Sequence, residues 1–181
     1  DKRGKIHYLH TKKAPLRDSS GKITHLVGII EDITEHKRAE EELRRLSRAV
    51  EATHDAVVIT DTEGRIQFVN QAFEKMTGYS RAEALGQNTR LLKSGRQPDE
   101  LYAAMWRAIT AGQAWQGEVT NRRKDGTLYE AQLTISPVHN AAGEIEQFVA
   151  IQRDITAHKQ AQKALRESEE RFRQLVESSL T

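Results

Sequence analysis

Residues 114–135, AWQGEVTNRRKDGTLYEAQLTI, decide how the chain is read. They have the composition of two β-strands around a turn at Asp125-Gly126, and an Asp-Gly pair between strand-like runs is a strong hairpin signal. On the first strand Trp115, Gly117, Val119 and Asn121 share one face, because side chains alternate along a strand. On the second, Tyr129, Ala131, Leu133 and Ile135 form the apolar parity, and Glu130, Gln132 and Thr134 the polar one. The hairpin is therefore wet on one face and buried on the other. Its buried face carries a large aromatic, a gap at Gly117 and an amide at Asn121, which suits packing around something planar and polar.

Self-comparison extends this reading along the chain. Residues 4–43, GKIHYLHTKKAPLRDSSGKITHLVGIIEDITEHKRAEEEL, align without a gap onto residues 126–165, GTLYEAQLTISPVHNAAGEIEQFVAIQRDITAHKQAQKAL. Gly4 falls on Gly126, Pro15 on Pro137, Gly21 on Gly143, Asp32-Ile33-Thr34 on Asp154-Ile155-Thr156, and His36-Lys37 on His158-Lys159. The expected grammar is domain, linker, domain, linker. Residues 1–34 close one domain, 35–54 form a helix, 55–156 a complete domain, and 157–181 a helix leading into a next module.

Within the middle domain, residues 56–61 and 66–70 read as a hairpin around Thr62-Glu63-Gly64-Arg65. A helical patch follows over 71–78. Ser80 and Glu83 form a capping box at a second helix start. After a polar stretch over 87–97, Pro98 opens a third helix, with Asp99 and Glu100 at its positive end. Leu101, Met105, Ala108 and Ile109 give that helix its apolar stripe, and Gly112 stops it. Residues 145–156 are the last strand. The order β-β-α-α-α-β-β-β predicts an α+β domain: a five-stranded antiparallel sheet with helices on one side, flanked by coiled-coil-like linker helices.

In the linkers, Ala39, Leu43, Leu46 and Val50, and again Ala161, Leu165, Ser168, Phe172 and Leu175, repeat at helical spacing between charged residues. Such seams predict a homodimer through the linker helices, with docking on the helix's own domain as the alternative. LSRAVE at 46–51 resembles FRQLVE at 172–177 with an offset about one helical turn larger than that of the hairpins, a stutter that relaxes the supercoil locally.

Composition narrows the function. The chain is 30% charged and 37% hydrophobic with a net charge of +2, so no large basic field invites nucleic acid. No apolar run approaches the roughly 18 residues of a membrane span, and residues 1–10 lack a signal-peptide core. A cytoplasmic fragment without membrane contact is expected, excised from a longer parent because it starts without Met. There is no cysteine, which removes disulfides, thiolate metal sites and a cysteine–flavin adduct. The histidines show no metal-ligand spacing, and neither a nucleotide-binding glycine loop nor paired catalytic carboxylates occur. His36 and His158 are each followed by Lys rather than the acidic residue expected beside a phosphoacceptor. No catalysis by the fragment is expected.

FVNQAFEKMTGYSRAEALGQN at 68–88, NRRKDGT at 121–127 and both Asp-Ile-Thr strand ends resemble the PAS domains of bacterial signalling proteins. Residues 106–138, WRAITAGQAWQGEVTNRRKDGTLYEAQLTISPV, are similar to the FAD-binding PAS domains of aerotaxis receptors and of regulators of nitrogen fixation and methane oxidation. That resemblance implies that Trp106, Trp115 and Asn121 hold a flavin. GQNTRLLKS at 86–94 resembles the segment carrying the photoreactive cysteine of light-oxygen-voltage domains, with Thr89 in the cysteine's place. Adduct photochemistry is thereby excluded, while Asn88 and Gln152 join the candidate flavin contacts. Ile30 stands where the first repeat would need that glutamine. The implied function is redox or oxygen sensing through FAD, relayed through the linker helices to an output domain in cis, in a parent such as a histidine kinase or diguanylate cyclase. The rival is a cofactor-free dimerisation and relay module in which Trp115 is a core aromatic and Asn121 caps the turn. Arg122, Arg123 and Lys124 are expected as solvated turn charges, with contact to a diphosphate as the alternative.

Overall fold

The computed structural model describes residues 6–178. The match of Gly4 to Gly126 and the last residues of the second linker lie outside them. The chain divides into two compact units, Asp1–Ala49 and Val50–Thr181.

In the first unit, β1 (Leu9–Arg17) and β2 (Ile23–Asp32) form an antiparallel hairpin that leads into α1 (Thr34–Glu51). Asp18 makes the turn: its carboxylate accepts from the backbone N–H of Ser20 at 2.9 Å and of Lys22 at 3.1 Å. Gly21 supplies the left-handed backbone there, at φ 85°. Leu26, Ile29 and Ile30 are exposed on β2.

The second unit runs β3 (Ala56–Thr60), β4 (Ile66–Val69), α2 (Gln71–Thr77), α3 (Arg81–Ala84), a 3₁₀ turn (Thr89–Leu92), α4 (Asp99–Thr110), β5 (Trp115–Arg122), β6 (Leu128–His139), β7 (Ile145–Asp154) and α5 (Thr156–Ser178). Its sheet has five strands in the order β4-β3-β7-β6-β5, all antiparallel. The last strand thus lies beside the first, at the sheet's centre. Val58, Ile66, Phe73, Met105, Ile109, Val119, Ala131, Leu133, Ile135, Phe148 and Ala150 make one buried cluster between the sheet and the helices. At roughly 1.5–3 kcal/mol per fully buried large side chain, this cluster is the main source of stability.

The register Trp115↔Ile135 through Arg122↔Leu128 puts the expected parities together. Val119, Asn121, Tyr129, Ala131, Leu133 and Ile135 are buried, and the alternate positions reach solvent. Asp125 bonds the N–H of Thr127 at 2.9 Å, and Gly126 takes φ 89°. The Ser80–Glu83 capping box is present, and Gly78 ends α2 in the left-handed region.

Elements differ from the expectation where a polar side chain captures the backbone. β4 stops at Val69, since Asn70 caps α2. β7 stops at Asp154, whose carboxylate accepts from Thr156 N–H at 2.9 Å and so starts α5. The polar stretch over 87–97 contains the 3₁₀ turn, capped by the Asn88 side chain accepting from Arg90 N–H at 3.1 Å.

The repeat extends to atomic pairings. β6 and β7 pair from Ala131↔Asp154 to Val138↔Gln147 and slip at His139; β1 and β2 pair from Leu9↔Asp32 to Leu16↔His25 and slip at Arg17. Asn140 makes the second turn as Asp18 makes the first. Both Asp-Ile-Thr motifs use the same bonds. Thr34 Oγ1 accepts from Tyr8 N–H at 2.8 Å, and Thr156 Oγ1 from Glu130 N–H at 2.9 Å. Ile33 N–H donates to Tyr8 O and Ile155 N–H to Glu130 O.

Candidate functional site

A cavity of about 390 Å³ opens in the second unit, lined from the sheet and from the 3₁₀ turn and α4. This volume falls within the range of small-molecule sites. The sheet contributes Val58, Val119, Leu133, Ile135 and Ala150, and the facing elements Leu92, Met105 and Trp106. Polar groups interrupt this apolar lining at two places. Asn121 and Gln152 lie on the sheet, and Asn88, Thr89, Arg90, Lys93 and Tyr102 on the other side. The backbone bridge between Lys93 and Asn121 joins the 3₁₀ segment to β5.

Asn121 and Gln152 are both buried and held to each other. Asn121 Nδ2 donates to Gln152 Oε1 at 3.3 Å, and Tyr129 Oη donates to the same oxygen at 3.3 Å. The pairing across β5, β6 and β7 brings these three side chains together from distant parts of the chain. Burial raises the Tyr129 phenol to a pKa of about 12, so it remains a donor at neutral pH.

From Tyr129 the arrangement continues outward. The Arg123 guanidinium lies 4.5 Å from the Tyr129 ring centroid, within cation–π range. Arg123 also donates to Met76 O and, at 2.7 Å, to the Asp154 carboxylate. Burial pulls the Asp154 pKa upward, but the bonds from Thr156 and Arg123 outweigh it and leave the group below the usual carboxylate range. Asp154 in turn caps α5. An unbroken series of contacts therefore joins the cavity floor to the start of the last helix.

The expected site residues separate on this geometry. Asn121, Gln152, Trp106 and Asn88 line one cavity. Trp106 also meets Phe148 edge-on, with centroids 6.0 Å apart. The Asn88 amide is already engaged, donating to Glu63 O at 2.8 Å and accepting from Arg90. Trp115 does not line the cavity: its indole folds back across Gly117, where an added Cβ would sit 2.6 Å from the ring. Asn121 points inward and does not cap its turn.

Arg123 and Lys124 are not simple solvated charges. Their turn packs on the end of α2, whose last carbonyls need donors. Arg123 supplies one to Met76 and Lys124 N–H one to Thr77, while Lys124 Nζ binds Glu83.

Two residues were not singled out in the sequence. Asn70 is fully buried; its Oδ1 accepts from Val57 and Phe73 N–H, and its Nδ2 donates to Val50 O, Thr53 Oγ1 and Asp55 O. An Asn directly before a helical patch is an N-cap signal, but its reach back to 50–55 is not local. Tyr102 lines the cavity as well, three residues before the stripe residue Met105. Among the described residues no helix is long and apolar enough to cross a membrane.

The five-stranded sheet, the helices and the polar-floored cavity between them define an α+β fold with an internal binding-sized cavity. The family model described as PAS fold matches residues 44–155, and one described as PAS domain matches residues 1–35. The chain belongs to the PAS family and is a PAS sensory module of signalling proteins. It is 42% identical over 117 residues to a nitrogen fixation regulatory protein of Klebsiella oxytoca, covering 65% of this chain and 24% of that one. It is 31% identical over 172 residues to the sensor protein FixL of Bradyrhizobium diazoefficiens, covering 88% and 33%. A light-oxygen-voltage domain studied with a flavin analogue superposes with a TM-score of 0.58 at 25% identity, over 70% of this chain and 95% of that one. The chain thus spans about a quarter to a third of the length of these two curated relatives.

Proposed function

We propose that residues 55–156 form a complete PAS domain that binds a flavin, FAD, and senses redox state or oxygen. The observation that carries this reading is the Asn121–Gln152 amide pair on the floor of an otherwise apolar cavity of about 390 Å³. Apolar walls accept the faces of a planar heterocycle, and carboxamides pair with its edge as donor or acceptor. Trp106, Asn121, Gln152 and Asn88 are the residues that would hold it, with Trp115 buttressing β5 from outside the cavity. A bound flavin supplies a redox centre whose hydrogen-bonding pattern differs between its oxidised and reduced forms. Similarity to a domain studied with a flavin analogue supports the choice.

Gln152 is placed to report such a difference. A carboxamide presents a carbonyl on one side and an amino group on the other. When Gln152 turns its oxygen away, Tyr129 and Asn121 lose their shared acceptor. Tyr129 then repacks under Arg123, and the Arg123–Asp154 pair at the start of α5 feels the change. Only a difference in how the two ligand states are bound can shift this equilibrium.

In the same reading, residues 1–34 are the closing strands of a preceding PAS domain, 35–54 a linker helix, and 157–181 a linker into a next module. The fragment works in the cytoplasm, as part of a parent such as a histidine kinase or diguanylate cyclase whose output domain lies in cis. Neither nucleic acid nor a membrane is a partner. Exposed Leu43 and Leu46 on α1, and Leu165 and Phe172 on α5, favour pairing of each helix with its copy in a homodimer. The same exposure supports a second reading, a cofactor-free dimerisation and relay module. The visible spectrum of the purified protein decides between them. Oxidised-flavin peaks bleached by dithionite support the sensor, and a protein that stays colourless after refolding with excess FAD rules it out.

A further inference from the structure

Among the described residues, the Tyr102 hydroxyl is the only buried side-chain oxygen or nitrogen without a hydrogen-bond partner. Buried polar groups in native proteins are almost always paired, so an unpaired one calls for an explanation. The ring itself is well held. Lys93 Nζ stands 4.4 Å from its centroid, and Asp99 in the first turn of α4 fixes that ammonium at 2.9 Å. A phenylalanine would fill the same space without stranding an O–H.

The surroundings say what the hydroxyl would meet. Tyr102 lines the cavity next to Lys93, Arg90 lines the same cavity, and no carboxylate shares that lining. Burial raises the Tyr102 pKa against the opposing pull of Lys93, which keeps the phenol protonated and able to donate. With cations beside it, the complementary group is electron-rich oxygen.

We propose that Tyr102 is a ligand-anchoring residue whose hydroxyl donates a hydrogen bond to an acceptor oxygen, carbonyl, hydroxyl or phosphate, of the molecule that occupies the cavity. The choice of probes rests on the flavin reading; the donor role of Tyr102 does not. The cavity wall desolvates this donor without pairing it, and the ligand completes it. Tyr102 therefore trades stability of the empty state for affinity.

The test compares wild type with Tyr102→Phe in two ways. In the ligand-free protein the substitution leaves Tm unchanged or raises it, because no hydrogen bond is lost; a clear fall in Tm would mean that the hydroxyl already has a partner and would overturn the inference. In titrations with riboflavin, FMN and FAD, Kd rises about tenfold for the ligands that carry the acceptor. A loss shared by all three places the acceptor on the ring or ribityl chain, and one confined to FMN and FAD places it on a phosphate. Wild-type binding with unchanged Kd in the variant defeats the anchoring role alone. If wild type takes up none of the three, small molecules extracted from both purified proteins decide. A different compound with at least fivefold lower occupancy in Tyr102→Phe ends the flavin reading and keeps the anchor; equal occupancy, or a wild type that carries nothing, ends both.

Discussion

The indole of Trp115 lies across Gly117, two residues along the same strand and on the same face. The ring occupies the space that any side chain at Gly117 would need. This contact gives β5 a closed inner surface next to Val119 and Asn121, where the cavity begins.

Gly117→Ala is expected to destabilise the domain by about 1–3 kcal/mol, since the rigid indole must leave its place. Chemical denaturation would measure the cost, and tryptophan fluorescence would report the displaced ring. In a Trp115→Ala background the same change becomes nearly neutral; a cost that persists there would locate the clash elsewhere.

Asn70→Ala strands the N–H groups of Val57 and Phe73 and removes the donors to Val50 and Asp55. A loss of about 3 kcal/mol in unfolding free energy is expected, with m unchanged. A loss below about 1 kcal/mol would show that water replaces the amide.

Arg123→Ala uncouples Tyr129 from Asp154. The pair is partly exposed, so the expected global cost is small, about 1 kcal/mol. The local effect is larger: amide exchange at the first turn of α5, residues 156–159, should accelerate while the β3 amides keep their protection. Uniform acceleration across both would reduce Arg123 to a general stabiliser.

Tyr129 dictates an alkaline limit. Its folded pKa of about 12 lies above the unfolded value near 10, so the unfolded chain loses its proton first. The contribution is fully present below pH 10 and is lost as pH rises from 10 towards 12, by about 2–3 kcal/mol in total. Tyr129→Phe lowers stability at pH 7 through the lost bond to Gln152 but flattens this slope. Parallel pH profiles for the two proteins would contradict the assignment.

Leu43→Asp with Leu46→Asp places charges on an exposed apolar row of α1. Sedimentation should show the dimer weakened at least tenfold, and an unchanged dimer would put the seam on another surface.

How far these features could be read in advance follows from the range of the forces involved. The Ser80 capping box, the Asp125-Gly126 turn and both Asp-Ile-Thr junctions are built from residues a few positions apart, so short motifs reveal them. The parity of the β5–β6 hairpin was legible because the strand period is two. Strand parity marks Asn121 as a buried amide and family resemblance marks Gln152, but their mutual bond depends on strand order, which no local pattern carries. Trp115 keeps the inner face that parity assigns, but its ring fills the gap over Gly117 instead of lining the cavity. The roles of Asn70, Arg123 and Tyr102 depend on segments distant in sequence.

The matching registers of the β1–β2 and β6–β7 hairpins make each an interchangeable part. Turn, bulge and helix start are the same in both, so a graft of one for the other would preserve the way the chain leaves the sheet. What such a graft would alter is the vocabulary of the coupling: Ile30, paired with Thr11, occupies the place that Gln152 holds opposite Leu133. A recipient carrying the first hairpin would keep the helix start and lose the carboxamide at the floor of the cavity.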